Sequence, residues 1–193
     1  MSFHNSLLFK KLKEFYVDDN LEKYLDYIKY NKISLRVIDW FVTNYSKKND
    51  IIYHIYKSID NEYSINPEDN YNYNSFNVYH SYKSQLKSYS KRNFDPFCRR
   101  NKINFEYIDK DGESDCISTT LGQLNFFRWA IENLLVDYIR DNHKAIENDM
   151  NNSIKIIHKN KTEENIRKKR QELSLSASRG LNKHHGKILI SFD

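Results

Sequence analysis

Residues 103–139, INFEYIDKDGESDCISTTLGQLNFFRWAIENLLVDYI, decide the fold class of this 193-residue chain. Apolar residues alternate with polar ones from Ile103 to Tyr107, which is the period of a strand with one buried face. KDGE at 110–113 can reverse the chain, and CIST at 116–119 supplies a return strand. We therefore predict a β-hairpin over 103–118.

A helix signal follows the hairpin. Thr120 and Gln123 form a capping-box pattern, and apolar residues then recur at helical spacing from Leu124 to Tyr138. We predict that residues 120–140 form one long, central core helix.

The N-terminal part is predicted to be helical. Apolar residues repeat at helical spacing over 21–28 and again over 38–45, the second time after a possible N-cap at Ser34, and an earlier helix is expected over 7–15. IIYHIY at 51–56 is β-branched and aromatic, so it is predicted to be a strand.

The middle of the chain changes character. Residues 60–75 are polar, acidic and rich in Asn, which predicts a surface loop or insertion. A helical pattern resumes over 79–91 and ends before Asp95-Pro96. Together these segments predict an α+β fold, and the 15 Tyr and 11 Phe predict a core rich in aromatic rings.

The domain organisation follows from the fading of apolar periodicity. We predict a single α+β domain over 1–150 and a basic tail over 151–193, containing a short charged helix near 162–174 and a terminal strand at 188–192. The two cysteines form no CxxC pair, which favours a reducing compartment. No apolar run reaches the roughly 18–20 residues of a membrane span, so we expect a cytosolic protein with no membrane contact.

Positive charge is concentrated in two stretches. The net charge is +5, but residues 151–193 contain 10 Lys/Arg and 4 Asp/Glu, and residues 80–102 contain seven cations against Asp95 alone. Clustered cations that neutralise phosphates supply most non-specific affinity for nucleic acid. Aromatic rings beside such a cluster can stack on bases.

These stretches give the candidate nucleic-acid-binding residues. A tyrosine stripe at helical spacing can also be core, and a lysine row can be a solvated face, so both alternatives stay open. The candidates for phosphate contact are Lys83, Lys87, Lys91, Arg92, Arg99, Arg100, Arg167, Lys168, Lys169 and Arg170, and those for stacking are Tyr82 and Tyr89.

Signatures of catalysis and of cofactor binding are lacking in the sequence. It contains no phosphate loop, dinucleotide fingerprint, HExxH, GxSxG or paired Cys/His spacing, so we predict no cofactor and no metal. His184-His185 is expected to be incidental, and Cys98 to be a small buried side chain. Five carboxylates could still assemble a nuclease metal site; they are Asp39, Asp95, Glu106, Asp109 and Asp115.

Long segments of the chain resemble a family of uncharacterised proteins of nucleocytoplasmic large DNA viruses, the giant viruses. The resemblance is carried by LRVIDWFVTNYSKKN (35–49), YKSQLKSYSKRNFDPFCRR (82–100), TTLGQLNFFRWAIENLLVDYI (119–139), SASRGLNKHH (176–185) and ISFD (190–193). It implies a viral setting, in the host cytoplasm at the viral factory or in the virion, but no functional residue.

Three functions are compatible with these observations. The first is a non-enzymatic nucleic-acid-binding protein of a large DNA virus, with DNA more expected than RNA, acting in genome packaging or late viral functions. The second is a virion structural or scaffold protein whose tail docks on an acidic protein partner, with other viral structural proteins as neighbours. The third is a metal-dependent nuclease.

Overall fold

The computed structural model describes residues 3–29, 33–57, 63–65, 72–99, 101–108 and 112–163, with side chains from Asn5 to Ile156 within these ranges. Contacts divide the chain into two units, Met1–Ser153 and Ile154–Asp193. Helices are combined with small antiparallel sheets, so the predicted α+β class is confirmed.

The first unit begins with helices, as predicted. Ser34 caps the third of them, because its Oγ accepts a hydrogen bond from the backbone N–H of Val37 at 3.3 Å. This helix passes into a π-helical turn, which its apolar spacing did not indicate. The elements are α1 (Phe3–Phe15), α2 (Asp18–Lys29), α3 (Leu35–Trp40), the π-helical turn (Phe41–Tyr45) and α4 (Ser46–Lys48).

A three-stranded antiparallel sheet follows, in the order β2-β1-β3. Its strands are β1 (Ile52–Lys57), β2 (Tyr63–Ser64) and β3 (Asn72–Asn77). The strand predicted at 51–56 is confirmed. The prediction of a loop over 60–75 is wrong for residues 63–64 and 72–75, because their backbones pair with β1 although their side chains are mostly polar.

The next helix and the hairpin agree with the sequence. Helix α5 (Val78–Tyr89) begins at Asn77, whose Oδ1 accepts a hydrogen bond from the N–H of His80 at 2.9 Å. Strands β4 (Lys102–Ile108) and β5 (Ser114–Thr120) pair in antiparallel register, with Phe105 opposite Ile117. The predicted hairpin is therefore confirmed.

The single helix predicted over 120–140 is wrong. Residues Leu121–Glu132 form α6 and Leu135–Asp141 form α7, with Leu134 between them in the left-handed region at φ 51°. The Asn133 side chain donates to the carbonyl of Trp129 at 2.8 Å and so ends α6. The helix is interrupted at a leucine that keeps the apolar spacing.

The last described element is α8 (His143–Glu163). It differs from the expected tail, because residues 151–163 continue a helix that begins at His143. The charged helix predicted near 162–174 lies beyond residue 163 for most of its length, and the strand predicted at 188–192 also lies outside the described residues. Within the described ranges, no helix combines the length and apolar character needed to cross a membrane.

The core is rich in aromatic rings, as predicted. Tyr16 packs at 4.9 Å from Tyr24 and 5.9 Å from Phe105 between ring centroids, which joins the N-terminal helices to the hairpin. On the far side of α6, Phe94 lies 5.2 Å from Phe126 and 5.5 Å from Trp129. Rings at such distances contribute contact energy beyond their buried area. Phe94 therefore anchors the loop between α5 and β4 to the core.

Candidate nucleic-acid interface

The loop between α5 and β4 forms one wall of a basic cleft. The cleft has a volume of about 620 Å³, and the described residues that line it include three cations and one carboxylate. Its lining residues, which define what we call the basic cleft, are Lys91, Arg92, Asp95, Phe97, Arg99, Asn101 and Thr120. Three of the predicted phosphate-binding residues are thus brought together in space.

Asp95, the carboxylate among the described lining residues, already has hydrogen-bond partners. Both oxygens of Asp95 accept hydrogen bonds from the Arg99 guanidinium, at 2.7 to 3.0 Å, and one of them also accepts from the backbone N–H of Phe97 at 3.2 Å. The guanidinium lies 4.7 Å from the centre of the Phe97 ring. Arg99 is therefore oriented by the loop, and its charge is offset by Asp95.

Lys91 and Arg92 carry the excess charge of the basic cleft. Both side chains are exposed. The Asn101 side-chain amide is oriented with its oxygen towards Arg92. That oxygen accepts hydrogen bonds from Arg92 Nε at 3.2 Å and from Nη2 at 3.0 Å. Because an amide oxygen neutralises no charge, Arg92 keeps its full positive charge. The bonds to Asn101 also fix the orientation of the Arg92 guanidinium.

The loop is held by a buried chain of hydrogen bonds at the start of α6. Gln123, only 1% exposed, donates through Nε2 to the carbonyl of Pro96 at 2.9 Å. Its Oε1 accepts from the hydroxyl of Thr119 at 2.9 Å, and Tyr24 bonds that hydroxyl in turn at 2.7 Å. Because Thr119 donates to Gln123, the Tyr24 hydroxyl donates to Thr119. Burial raises the pKa of Tyr24 well above its usual range.

Backbone contacts fix the same loop. The N–H of Asp95 donates to the carbonyl of Gly122 at 3.2 Å. A Cβ on Gly122 would lie 2.9 Å from the carbonyl oxygen of Arg92, so only glycine allows this approach without a shift. Asn125 adds a hydrogen bond from Nδ2 to the carbonyl of Asn93 at 2.9 Å. The first turn of α6 therefore positions the basic cleft.

The two tyrosines predicted to stack on bases differ in their exposure to solvent. Tyr82 is 6% exposed and packs against Phe94 and Trp129, so its prediction as a stacking residue is wrong. Burial is the main cause that raises the pKa of its hydroxyl to about 12, followed by the negative charge of Asp39. Tyr89 is half-buried and stacks on Phe94 at 6.5 Å, so one of its faces is already in use.

The other predicted phosphate contacts have different positions. Lys83 and Lys87 are exposed on α5 and do not line the basic cleft. Arg100 and the cations at 167–170 lie outside the described residues.

The candidate nuclease carboxylates lie on separate parts of the fold, and Asp109 lies outside the described residues. Asp39 lies close enough to Asp95 to feel its charge, and burial followed by that charge raises the pKa of Asp39. Asp115 belongs to another surface, where it accepts from Tyr107 at 2.5 Å and from Lys29 at 3.1 Å. Among the described residues, no group of three or more His, Cys, Asp or Glu side chains could hold a metal ion. The hydrogen bonds of Asp95 are with Arg99 and the backbone N–H of Phe97.

The fold and the site define this chain as an α+β protein with a basic surface cleft built on the start of a helix. It belongs to a family of unknown function, DUF7197, whose match covers residues 2–193. A relative from Acanthamoeba polyphaga mimivirus, titled "Uncharacterized protein L507", is 42% identical over 145 residues. The predicted resemblance to uncharacterised giant-virus proteins is confirmed, and a viral origin is supported.

The extent of this similarity is unequal for the two chains. The aligned region covers 75% of this chain and 50% of the mimivirus protein, so the chain spans half the length of that relative. No solved structure matches the chain.

Proposed function

We propose that this chain is a non-enzymatic nucleic-acid-binding protein of a large DNA virus, and that its basic cleft contacts the phosphate backbone. The observation that carries the proposal is the convergence of Lys91, Arg92 and Arg99 on one cleft, in which the carboxylate found among the described residues, that of Asp95, is paired with Arg99. The described residues of the cleft therefore keep a net positive charge, which the nearby Asp39 carboxylate offsets only in part. Phosphate oxygens are the anions that such a lysine and guanidinium set binds best.

Two features of the cleft suit phosphate. Arg92 presents an oriented guanidinium, and Thr120, the N-cap of α6, lies in the cleft wall, where the partial positive charge of the helix start adds to that of the side chains. Lys83 and Lys87 are exposed on α5 just before the cleft and extend the positive region along the chain. Contacts of this kind read the backbone rather than the base sequence, so binding is expected to be non-specific.

The biological setting belongs to the same proposal. A non-specific DNA-binding protein of a giant virus is suited to genome packaging or late viral functions, in the viral factory of the host cytoplasm or in the virion. Other viral structural proteins are candidate partners there. The family relationship supports a viral setting for such a role.

The test is a fluorescence-anisotropy titration of labelled DNA and RNA with the full chain at several salt concentrations. Lys91→Ala/Arg92→Ala removes the two cations of the cleft that Asp95 does not pair. We expect weaker binding and a fall of about two in the slope of log affinity against log salt, because each phosphate contact contributes about 0.9. Arg99 is left intact because its loss would also release Asp95.

The control variant, Lys10→Ala/Lys144→Ala, removes the same charge from two exposed lysines on α1 and α8. It is expected to retain nearly the full slope. Equal slopes for the cleft variant and the wild type would show that the cleft binds no phosphate. Absence of binding by the wild type at low salt would refute the proposed function and direct attention to protein partners.

A further inference from the structure

A groove runs along helix α2 and shares no described lining residue with the basic cleft. Its volume is about 830 Å³, within the range of roughly 300–1,000 Å³ that is usual for small-molecule sites. Most of its described lining residues belong to α2, and the others are Tyr107, Ile108, Asp115, Asp137 and Arg140. Helix α2, the β4-β5 hairpin and α7 thus meet at this groove.

Negative charge predominates among the described residues that line the groove, which we call the acidic groove. Six of them are carboxylates and three are cations. The adjacent connections 30–32 and 109–111 add no net charge, because together they contain two lysines and two aspartates. The six carboxylates are those of Asp18, Asp19, Glu22, Asp26, Asp115 and Asp137.

Two of the three cations are already paired within the acidic groove. Lys29 Nζ lies 3.1 Å from Asp115 Oδ2, and Arg140 Nη1 lies 2.9 Å from Asp137 Oδ1. Lys23 is the third cation of the described lining, and the other four carboxylates outnumber it. The groove therefore favours a positively charged ligand along α2.

The carboxylates of α2 are spread along the helix instead of converging on one point. Asp18, Glu22 and Asp26 follow each other at intervals of four residues, which places them on one side of the helix with steps of about 6 Å along its axis. Within the part of the chain that the structure describes, no group of three or more His, Cys, Asp or Glu side chains could hold a metal ion. The arrangement therefore suits an extended cation with several charges. A carboxylate accepts several hydrogen bonds, so contacts with protein groups leave room for a ligand.

Tyr27 is an independent observation that points to a ligand in the acidic groove. Its side chain lines the groove, is only 9% exposed, and packs with its ring 6.0 Å from that of Phe127. Its hydroxyl has no hydrogen-bond partner among the described residues, whereas every fully buried side-chain nitrogen or oxygen atom there has one. The hydroxyl therefore opens into the groove, close enough to Asp137, Arg140 and Asp26 to feel their charges. Burial raises its pKa, so it stays neutral and its oxygen can accept from an ammonium group.

We propose that the acidic groove binds an aliphatic polyamine, whose ammonium groups contact the carboxylates of α2 and the hydroxyl of Tyr27. Such molecules have ammonium groups separated by three or four methylenes, which is about 5–6 Å for an extended chain with bonds of about 1.5 Å. This spacing matches the step between the carboxylates on α2. The methylenes can pack on Leu25 and on Ile108, which is 69% exposed. The site goes beyond the proposed function, because it binds a cation at a different surface.

The experiment is isothermal titration calorimetry of the full chain with spermidine, in the absence of nucleic acid. We expect one spermidine per chain. Tyr27→Phe keeps the ring and breaks no hydrogen bond among the described residues, so it should leave stability unchanged and weaken spermidine binding about twofold to tenfold. Asp18→Asn/Asp19→Asn should weaken binding on the order of tenfold through the loss of two charges. Asparagine is as good as aspartate at the start of a helix, so α2 is retained.

A matched control removes the same charge elsewhere. Asp50 and Asp141 are exposed and do not line the acidic groove, and Asp50 has φ 44°, against 45° for Asp18. Asp50→Asn/Asp141→Asn is expected to bind spermidine as the wild type does. If this control loses as much affinity as Asp18→Asn/Asp19→Asn, the attraction is diffuse and the inference is overturned.

The remaining outcomes also decide the inference. Unchanged affinity of Tyr27→Phe would show that the hydroxyl contacts no ligand and would overturn the site as described. Pentalysine at the same ionic strength is the competing ligand, and its binding in place of spermidine would make the occupant a basic peptide and refute the polyamine. A chain that binds DNA but no spermidine would refute this inference alone, whereas one that binds spermidine but no DNA would refute only the proposed function.

Discussion

Replacement of Gln123 by leucine tests whether the buried hydrogen bonds hold the basic cleft in place. The side chain is 1% exposed and bonds both Thr119 and Pro96. Leucine has a similar size but leaves the Pro96 carbonyl without this donor and the Thr119 hydroxyl without this acceptor. Each buried polar group that loses its partner costs about 1–3 kcal/mol. Since leucine recovers part of this through apolar burial, we expect a loss of about 2–4 kcal/mol in unfolding free energy.

The assay is urea denaturation at 25 °C followed by far-UV circular dichroism, with Gln85→Leu as the control. Gln85 is half-buried on α5, and the same chemical change there should alter the unfolding free energy by at most about 0.5 kcal/mol. A double-mutant cycle with Thr119→Val should give a coupling of about 0.5–3 kcal/mol, as expected for residues of one network. A loss below about 0.5 kcal/mol for Gln123→Leu, or strict additivity with Thr119→Val, would refute the reasoning.

Two further predictions concern the same unit of the structure. Gly122→Ala should lower the melting temperature measured by differential scanning fluorimetry, because the added Cβ would lie 2.9 Å from the Arg92 carbonyl oxygen. This cost is expected to exceed the gain of about 1 kcal/mol in helix propensity that alanine brings. An unchanged or higher melting temperature would show that the loop shifts without a cost in stability. The pKa of Asp115 is lowered to about 2 by hydrogen bonds from Tyr107, from the Cys116 backbone and from Lys29. The ionised carboxylate therefore stabilises the folded state above its ordinary pKa of about 4. This stabilisation is lost as the pH falls towards 2. The stability difference between wild type and Asp115→Asn, measured by urea denaturation, should therefore be constant from pH 7 to 5 and shrink below pH 4, whereas a gap that persists at pH 2 would contradict the assignment.

Local patterns predicted the elements whose signals are complete within a few residues. The hairpin needs an alternating strand and a turn, and both are present between Ile103 and Thr119. The caps at Ser34 and Thr120 follow from their hydroxyls, which accept from the N–H groups of Val37 and Gln123. Of the two hydrogen bonds of a capping box, the one from the Gln123 backbone N–H to the Thr120 hydroxyl is formed. The Gln123 side chain does not bond the backbone N–H of Thr120 and bonds Thr119 and Pro96 instead.

Apolar periodicity led to wrong predictions at positions whose structure depends on backbone conformation, strand pairing or distant contacts. Leu134 continues the apolar spacing of α6, yet it adopts a left-handed conformation, and neither Gly nor Pro marks the break. The sequence of β3 is polar, and its pairing is made by backbone groups that composition does not reveal. In the same way, the stripe containing Tyr82 shows which residues share a helix face but not that Phe94 and Trp129 cover it.

The candidate site was predicted in part. The excess of cations over 80–102 identified Lys91, Arg92 and Arg99, which line the cleft together. The pairing of Arg99 with Asp95 has the i, i+4 spacing of an ion pair and could have been predicted from it. The pairing of Tyr73 with Tyr56 was not predicted, because residues 60–75 were assigned to a loop.

The close approach of Gly122 to the carbonyl of Arg92 separates the path of the loop from the charge that it presents. The loop is attached to α6 through main-chain atoms and through Gln123 and Asn125, none of which depends on the side chains of residues 91 and 92. Those two positions can therefore exchange lysine, arginine or a neutral residue while the loop keeps its path. A single substitution at either position would therefore change the charge of the cleft and leave the contacts that hold the loop on α6 intact.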